Sequence, residues 1–181
     1  ESPWGRGFPG WHIECSAMAT RYLGKRFDMH TGGVDNIFPH HEDEIAQSEG
    51  ASGQQYVNYW VHAQHLLADG QKMAKSTGNA YTREEIEARG FEAMALRYFY
   101  TTALYRSRLN FTFRALQASQ TSLERLRSHA YDLLQQADRG FVFSDAVLRD
   151  EEIGWRDAFL KEVENDLNMP RAMAVIWAML R

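Results

Sequence analysis

One cysteine, Cys15, stands in a chain of 181 residues, so no intrachain disulfide is available. A lone thiol suits a reducing compartment, and the expectation is a cytoplasmic protein. No apolar run approaches the roughly 18 residues that span a bilayer, which excludes a transmembrane helix. The opening residues ESPWGRGFPGW lack both the basic start and the apolar middle of a secretory signal. They also lack an initiating Met and turn at once through Gly and Pro, as expected of a piece cut from a longer protein. A basic excess is missing too: the formal net charge is −4 and the pI is near 6.0. Global charge therefore gives no footprint for nucleic acid. Any RNA contact must come from a local patch such as Arg106, Arg108 and Arg114, or from another part of the protein.

What is present is enough for a core. Hydrophobic residues make up 44% and charged residues 24%, an ordinary balance for one compact domain or two small ones. The chain changes character near residue 80. Pro9-Gly10 opens a helix from about Trp11 to Tyr22, stopped by Gly24, and FDMHT (27 to 31) reads as a short strand closed by Gly32-Gly33. A second helix fits from Pro39 to Ser48, ending at Gly50. The β-branched and aromatic run YVNYWVHAQHLL (56 to 67) reads as a strand, followed by a tight turn at Asp69-Gly70 and a polar loop through Asn79. Strand, helix and strand in succession imply parallel α/β connections. Beyond residue 80 the pattern is helical. Thr82 and Glu85 are spaced as a capping box, FEAMALRYFYTTAL (91 to 104) is apolar on nearly every side, and Leu116, Leu123, Leu126, Ala130, Leu133 and Ala137 recur along a helix from 112 to 137. RDEEIGWRDAFLKEVENDL supplies another amphipathic helix, and Asn168 with Pro170 introduces a last one running to the final residue. The predicted architecture is α/β over 1–80 followed by all-α over 81–181.

Three groups of residues carry candidate chemistry. His40 and Glu44 are four apart on a predicted helix and project from one face. Imidazole, carboxylate and the Cys15 thiolate are all good zinc ligands. His41 competes with His40 for that role, and the same pattern also fits a buried cysteine beside a solvated His/Glu pair. Lys72-Met73-Ala74-Lys75-Ser76 follows a strand in a polar loop. Two lysines three apart can neutralise charge on one polyphosphate, or they can be two solvated cations. Gly32, Gly33 and Asp35 follow the short strand, where glycines permit close backbone approach and a carboxylate can accept from ribose hydroxyls. They also make an ordinary turn. Trp11, four residues before Cys15, shares its face and could wall a small pocket.

Together these stretches resemble the class I cysteinyl-tRNA synthetases. The matching segments are SPWGRGFPGWHIECSAMA (2 to 19), FDMHTGGVDNIFPHHEDEIAQSE (27 to 49), DGQKMAKSTGN (69 to 79), LYRSRLNFT (104 to 112) and FLKEVENDLNMPRAM (159 to 173). The resemblance implies the C-terminal half of a Rossmann-like class I synthetase catalytic domain over 1–80 and a helical stem and bundle over 81–181. It implies cysteine–tRNA ligase activity, with ATP and Mg2+, L-cysteine and tRNA-Cys as partners of a monomeric protein. Carried over residue by residue, Cys15, His40 and Glu44 look like three ligands of an active-site Zn2+. Trp11 resembles the residue that packs on the substrate cysteine. Gly32, Gly33 and Asp35 look like the turn that holds the adenosine ribose. Lys72, Lys75 and Ser76 resemble the mobile loop that stabilises the transition state of activation.

The resemblance has gaps. The family's first half, with its HIGH-type ATP signature and a further cysteine ligand, has no counterpart in these residues, so the 181-residue chain by itself is expected to be inactive. Ala74 stands where the loop often has serine, and Gln64 where glycine is frequent. Two other readings remain: the related cysteine ligase of mycothiol biosynthesis, and a non-catalytic binding module derived from a synthetase.

Overall fold

A computed structural model of the chain describes residues 1–3, 5–136 and 150–181. The chain divides into two compact units, Glu1–His65 and Leu66–Arg181.

The first unit runs α1 (His12–Leu23), β1 (Phe27–Gly33), α2 (Glu42–Ser52) and β2 (Val57–Ala63). β1 and β2 pair in parallel, with Phe27 opposite Val57, His30 opposite Trp60 and Gly32 opposite His62. Parallel neighbours need a crossover between them, and α2 supplies it. Between β1 and α2 the chain makes a 3-10 turn, Val34–Asn36, and a wide turn, Ile37–His41. Phe38 inside that turn is extended (φ −134°, ψ 133°). Pro39 therefore sits in an irregular turn rather than opening α2, which begins at Glu42 with Glu42, Asp43 and Glu44 in its first turn, favourable to the helix dipole. The expected stop at Gly50 is also displaced. The helix runs on to Ser52 because Gly53 adopts the left-handed cap (φ 70°) and donates its N–H to the Glu49 carbonyl at 2.8 Å.

The second unit runs β3 (Leu66–Ala68), β4 (Gln71–Lys72), α3 (Arg83–Ala88), α4 (Ala93–Tyr100), β5 (Leu109–Phe111), α5 (Phe113–Gln136), α6 (Asp150–Glu164) and α7 (Met169–Met179). Its sheet order is β4-β3-β5, with β3 antiparallel to β4 and parallel to β5. The single strand expected over 56–67 is thus two: β2 belongs to the first unit and β3 to the second. That pairing draws Leu66 onward to Leu109–Phe111, which is why the unit boundary falls at 65/66 rather than at the change of character near 80. β5 is a short strand within the stretch expected to be almost entirely helical.

The core of this unit is Ile86, Ala95, Phe99, Phe111, Leu116 and Leu123. α4 is shorter and more one-sided than its apolar sequence implies: Ala95 and Phe99 are buried, whereas Met94 and Tyr100 are about half exposed. The α5 stripe buries Leu116 and Leu123, while Leu133 is exposed and Ala137 lies outside the described residues. Two predicted caps form as read. Thr82 and Glu85 make a reciprocal capping box, and Asn168 accepts from the Arg171 N–H at the start of α7, with Pro170 in the first turn. α7 stops at Met179, short of the final residue. Among the described residues, no helix is long and apolar enough to cross a membrane.

Candidate metal and nucleotide site

The first unit has an unusual interior. Among its described residues, the buried ones are Tyr56 and Val57 as large apolar groups, beside Ser16, His40, His41, Glu44 and Ser48. Burying a carboxylate is costly without compensation, and Glu44 is fully buried. Its Oε2 lies 2.9 Å from His30 Nε2 and accepts from the Tyr56 hydroxyl at 3.4 Å. Its Oε1 lies 3.1 Å from His40 Nε2, but out of alignment. That Oε1 and His40 Nδ1 are both buried without a hydrogen-bond partner.

Cys15 is delivered to this place by α1, and His40 and Glu44 by the turn before α2 and its first turn. One ligand atom from each, a sulfur, a nitrogen and a carboxylate oxygen, lie within 4.8 Å of one another. A second group, His30, His41 and Glu44, meets the same limit and shares the carboxylate. The competition between His40 and His41 thus resolves into two adjacent groups around one acid. The α1–α2 contact is fixed by Gln47, whose carboxamide lies 2.7 Å from His12 Nδ1 and accepts from Ser16 Oγ at 3.0 Å. Trp11 packs against His40 with ring centroids 3.6 Å apart and the rings tilted by 34°, while 59% of its surface stays open.

His30 and His62, which the spacing argument passed over, complete the interior. His41 Nδ1 lies 2.7 Å from His62 Nε2, and His30 stacks on Trp60 at 4.8 Å. Burial first, and then the neighbouring His30, His62 and His40, push the His41 pKa down to about 4. His62 is lowered by burial and by His30. Imidazoles kept neutral retain a lone pair for a metal or a proton. Burial, followed by Glu44 and Glu14, raises the Cys15 thiol. Burial is also the main reason why the Tyr56 pKa rises to about 12. The signal for this cluster was in the sequence: His30 and Gly32 on one strand, Trp60 and His62 on the next, each at the two-residue period of one face.

The glycines of the TGG turn differ from one another. A Cβ on Gly32 would come within 2.6 Å of the His41 ring, so Gly32 is required by packing inside the protein. Gly33 has an ordinary extended backbone (φ −78°, ψ 160°) and a Cβ there would meet nothing within 4 Å. Asp35 is largely exposed, with His65 Nε2 at 3.3 Å from its Oδ1. Lys72, Lys75 and Ser76 belong to the other unit. Lys72 ends β4 and Lys75 opens a 3-10 turn, Lys75–Thr77, with both side chains exposed.

Two solved structures share this fold. LeuRS from Agrobacterium radiobacter, in a ternary complex with tRNA and LeuAMS, superposes with a TM-score of 0.62 at 20% identity, over 84% of this chain and 22% of that one. A putative arginyl-tRNA synthetase from Campylobacter jejuni gives 0.53 at 20% identity, over 99% and 42%. The family follows from sequence: the model of the tRNA synthetases class I (C) catalytic domain matches residues 1–121, and the chain belongs to that family. Among curated relatives, a cysteine–tRNA ligase of Brachyspira hyodysenteriae is 42% identical over all of this chain and 38% of its own length. Cysteine–tRNA ligase 1 of Burkholderia lata is 48% identical over all of this chain and 36% of its own length. The chain therefore spans a little over a third of the curated relatives it matches. The family match passes residue 80 and takes in β5 and the first part of α5.

Proposed function

We propose that the protein carrying this chain is a cysteine–tRNA ligase, which activates L-cysteine with ATP and Mg2+ and passes it to tRNA-Cys. One observation carries the reading: a thiol, an imidazole and a fully buried carboxylate converge within 4.8 Å beside an exposed tryptophan face. The cysteine–tRNA ligases among its relatives support it.

Cys15, His40 and Glu44 would hold Zn2+. The fit rests on the donor set, which is that of zinc sites, and on the two orphaned polar atoms, Glu44 Oε1 and His40 Nδ1. A bound divalent cation would offset the buried charge of Glu44. Zinc, when bound, supplies a soft Lewis acid that favours a thiolate over a hydroxyl. Cysteine and serine differ by one atom, and a pocket that judges shape alone discriminates poorly between such isosteres. The open face of Trp11 would pack on the substrate. Gly33, where neither backbone nor packing demands glycine, would let the ribose approach the main chain, and Asp35 would accept from its hydroxyls. Lys72 and Lys75, with Ser76 donating, would neutralise charge on the polyphosphate as the adenylate forms. The helices of the second unit would dock the tRNA. We further propose a monomer in the cytoplasm.

The test is cysteine-dependent ATP–pyrophosphate exchange by the full-length protein, followed by charging of tRNA-Cys. Turnover with cysteine and a large preference over serine is expected. Ligation to glucosaminyl-inositol instead of tRNA would favour the mycothiol ligase, and absence of any exchange would favour a binding module.

A further inference from the structure

The lysine loop is folded around one side chain. Asn79 Oδ1 accepts from the Ala74 N–H at 2.9 Å and lies 2.6 Å from Thr77 Oγ1, while its Nδ2 donates to the Lys72 carbonyl at 3.2 Å. These contacts fall at Lys72, between the two lysines, and just past Lys75. The loop's other supports are few. The Thr77 N–H reaches the Ala74 carbonyl at 3.3 Å, the Thr77 Oγ1 lies 2.9 Å from that same carbonyl, and the Gly78 N–H reaches the Lys75 carbonyl at 3.2 Å, with Gly78 left-handed at φ 68°. Inward, β4 pairs Lys72 with Leu67 of β3, and Met73 places its N–H on the Leu66 carbonyl at 3.2 Å and its side chain against the core.

We propose that Asn79 is a positioning residue that sets the spacing of Lys72 and Lys75. The proposal rests on the phosphate-neutralising role given to those lysines above. The task needs one group that both accepts and donates: the carbonyl oxygen holds Ala74 and Thr77, and the amide nitrogen holds Lys72. Aspartate keeps the acceptor, loses the donor and sets a negative charge beside the lysines. Alanine loses everything. Misplacing charged groups that act in the transition state lowers kcat more than substrate binding.

The experiment uses the full-length protein with Asn79→Ala, Asn79→Asp and, as a stability control, Thr82→Ala, which removes the neighbouring cap without touching the loop. Hydrogen exchange at the Ala74 amide should be about tenfold faster in Asn79→Ala, as for the loss of one hydrogen bond. Asn79→Asp and Thr82→Ala should leave it near wild type. In cysteine-dependent pyrophosphate exchange, Asn79→Ala should lower kcat by about tenfold or more with the cysteine KM within about twofold. An Ala74 amide indifferent to Asn79→Ala would overturn the proposal, as would faster exchange with an unchanged kcat. A wild type inert toward cysteine, with Ala74 exchange still governed by Asn79, would sink the cysteine reading and leave the brace standing.

Discussion

Replacing Glu44 by Gln isolates the charge from the shape of the site. The carboxylate is fully buried, with His30 and Tyr56 on one oxygen and no aligned partner on the other. The amide of Gln still offers an oxygen to His30 and to the Tyr56 hydroxyl, so the metal-free protein should lose little stability. Glu44→Ala should cost more, about 1–3 kcal/mol, because the hydroxyl of the fully buried Tyr56 has no water to turn to. Zinc behaves differently. At a zinc concentration of about a hundred times Kd, binding stabilises the wild type by about 2.7 kcal/mol. If loss of the carboxylate weakens zinc by about a hundredfold, the same concentration yields only about 0.4 kcal/mol. Urea unfolding of the full-length protein, followed by tryptophan fluorescence with and without zinc, measures both quantities. A full zinc increment in Glu44→Gln would refute the placement of Glu44 in the ligand set. Zinc content unchanged by Cys15→Ser would do the same for the thiol.

The TGG turn offers a paired test. Gly32→Ala drives a methyl into the His41 ring and should destabilise by about 1–3 kcal/mol, whereas Gly33→Ala should leave stability within about 0.5 kcal/mol and weaken ATP binding. Equal stability losses in thermal unfolding would contradict the distinction. In the second unit, Leu116→Ala should cost about 2–5 kcal/mol by opening a cavity in the core, measured by denaturant midpoint. Asp166 accepts from the Tyr105 hydroxyl at 2.7 Å and pairs with Arg106. The Tyr105 hydrogen bond, followed by Arg106, holds its carboxyl below the ordinary range. A depressed acid stabilises above the ordinary carboxylate pKa of about 4 and loses that contribution as pH falls through its folded value. The stability gap between wild type and Asp166→Asn should therefore close below about pH 4, and a gap that widens there would reverse the reasoning. The same pairing also occupies Arg106, one member of the basic patch considered for RNA.

Much of this molecule could be read along the chain. Capping residues act within four positions of their helix, so Thr82, Glu85 and Asn168 announced α3 and α7 without help from distant neighbours. The succession of strand, helix and strand from residue 27 onward likewise implied parallel connections. The family was legible in long contiguous motifs, and the metal candidates in the spacing of His40 and Glu44. Tertiary structure decided the rest. β5 is three residues with no periodicity of its own, made a strand by β3, more than forty residues earlier in the chain. The two histidine groups around Glu44 depend on which strand faces turn toward α2. The run of two glycines looks uniform in sequence; the His41 ring, with the Asn36 carboxamide beside it, makes the first a steric necessity and leaves the second open. Short-range hydrogen bonding and periodicity are written in sequence order, whereas burial and convergence depend on what the rest of the chain brings alongside.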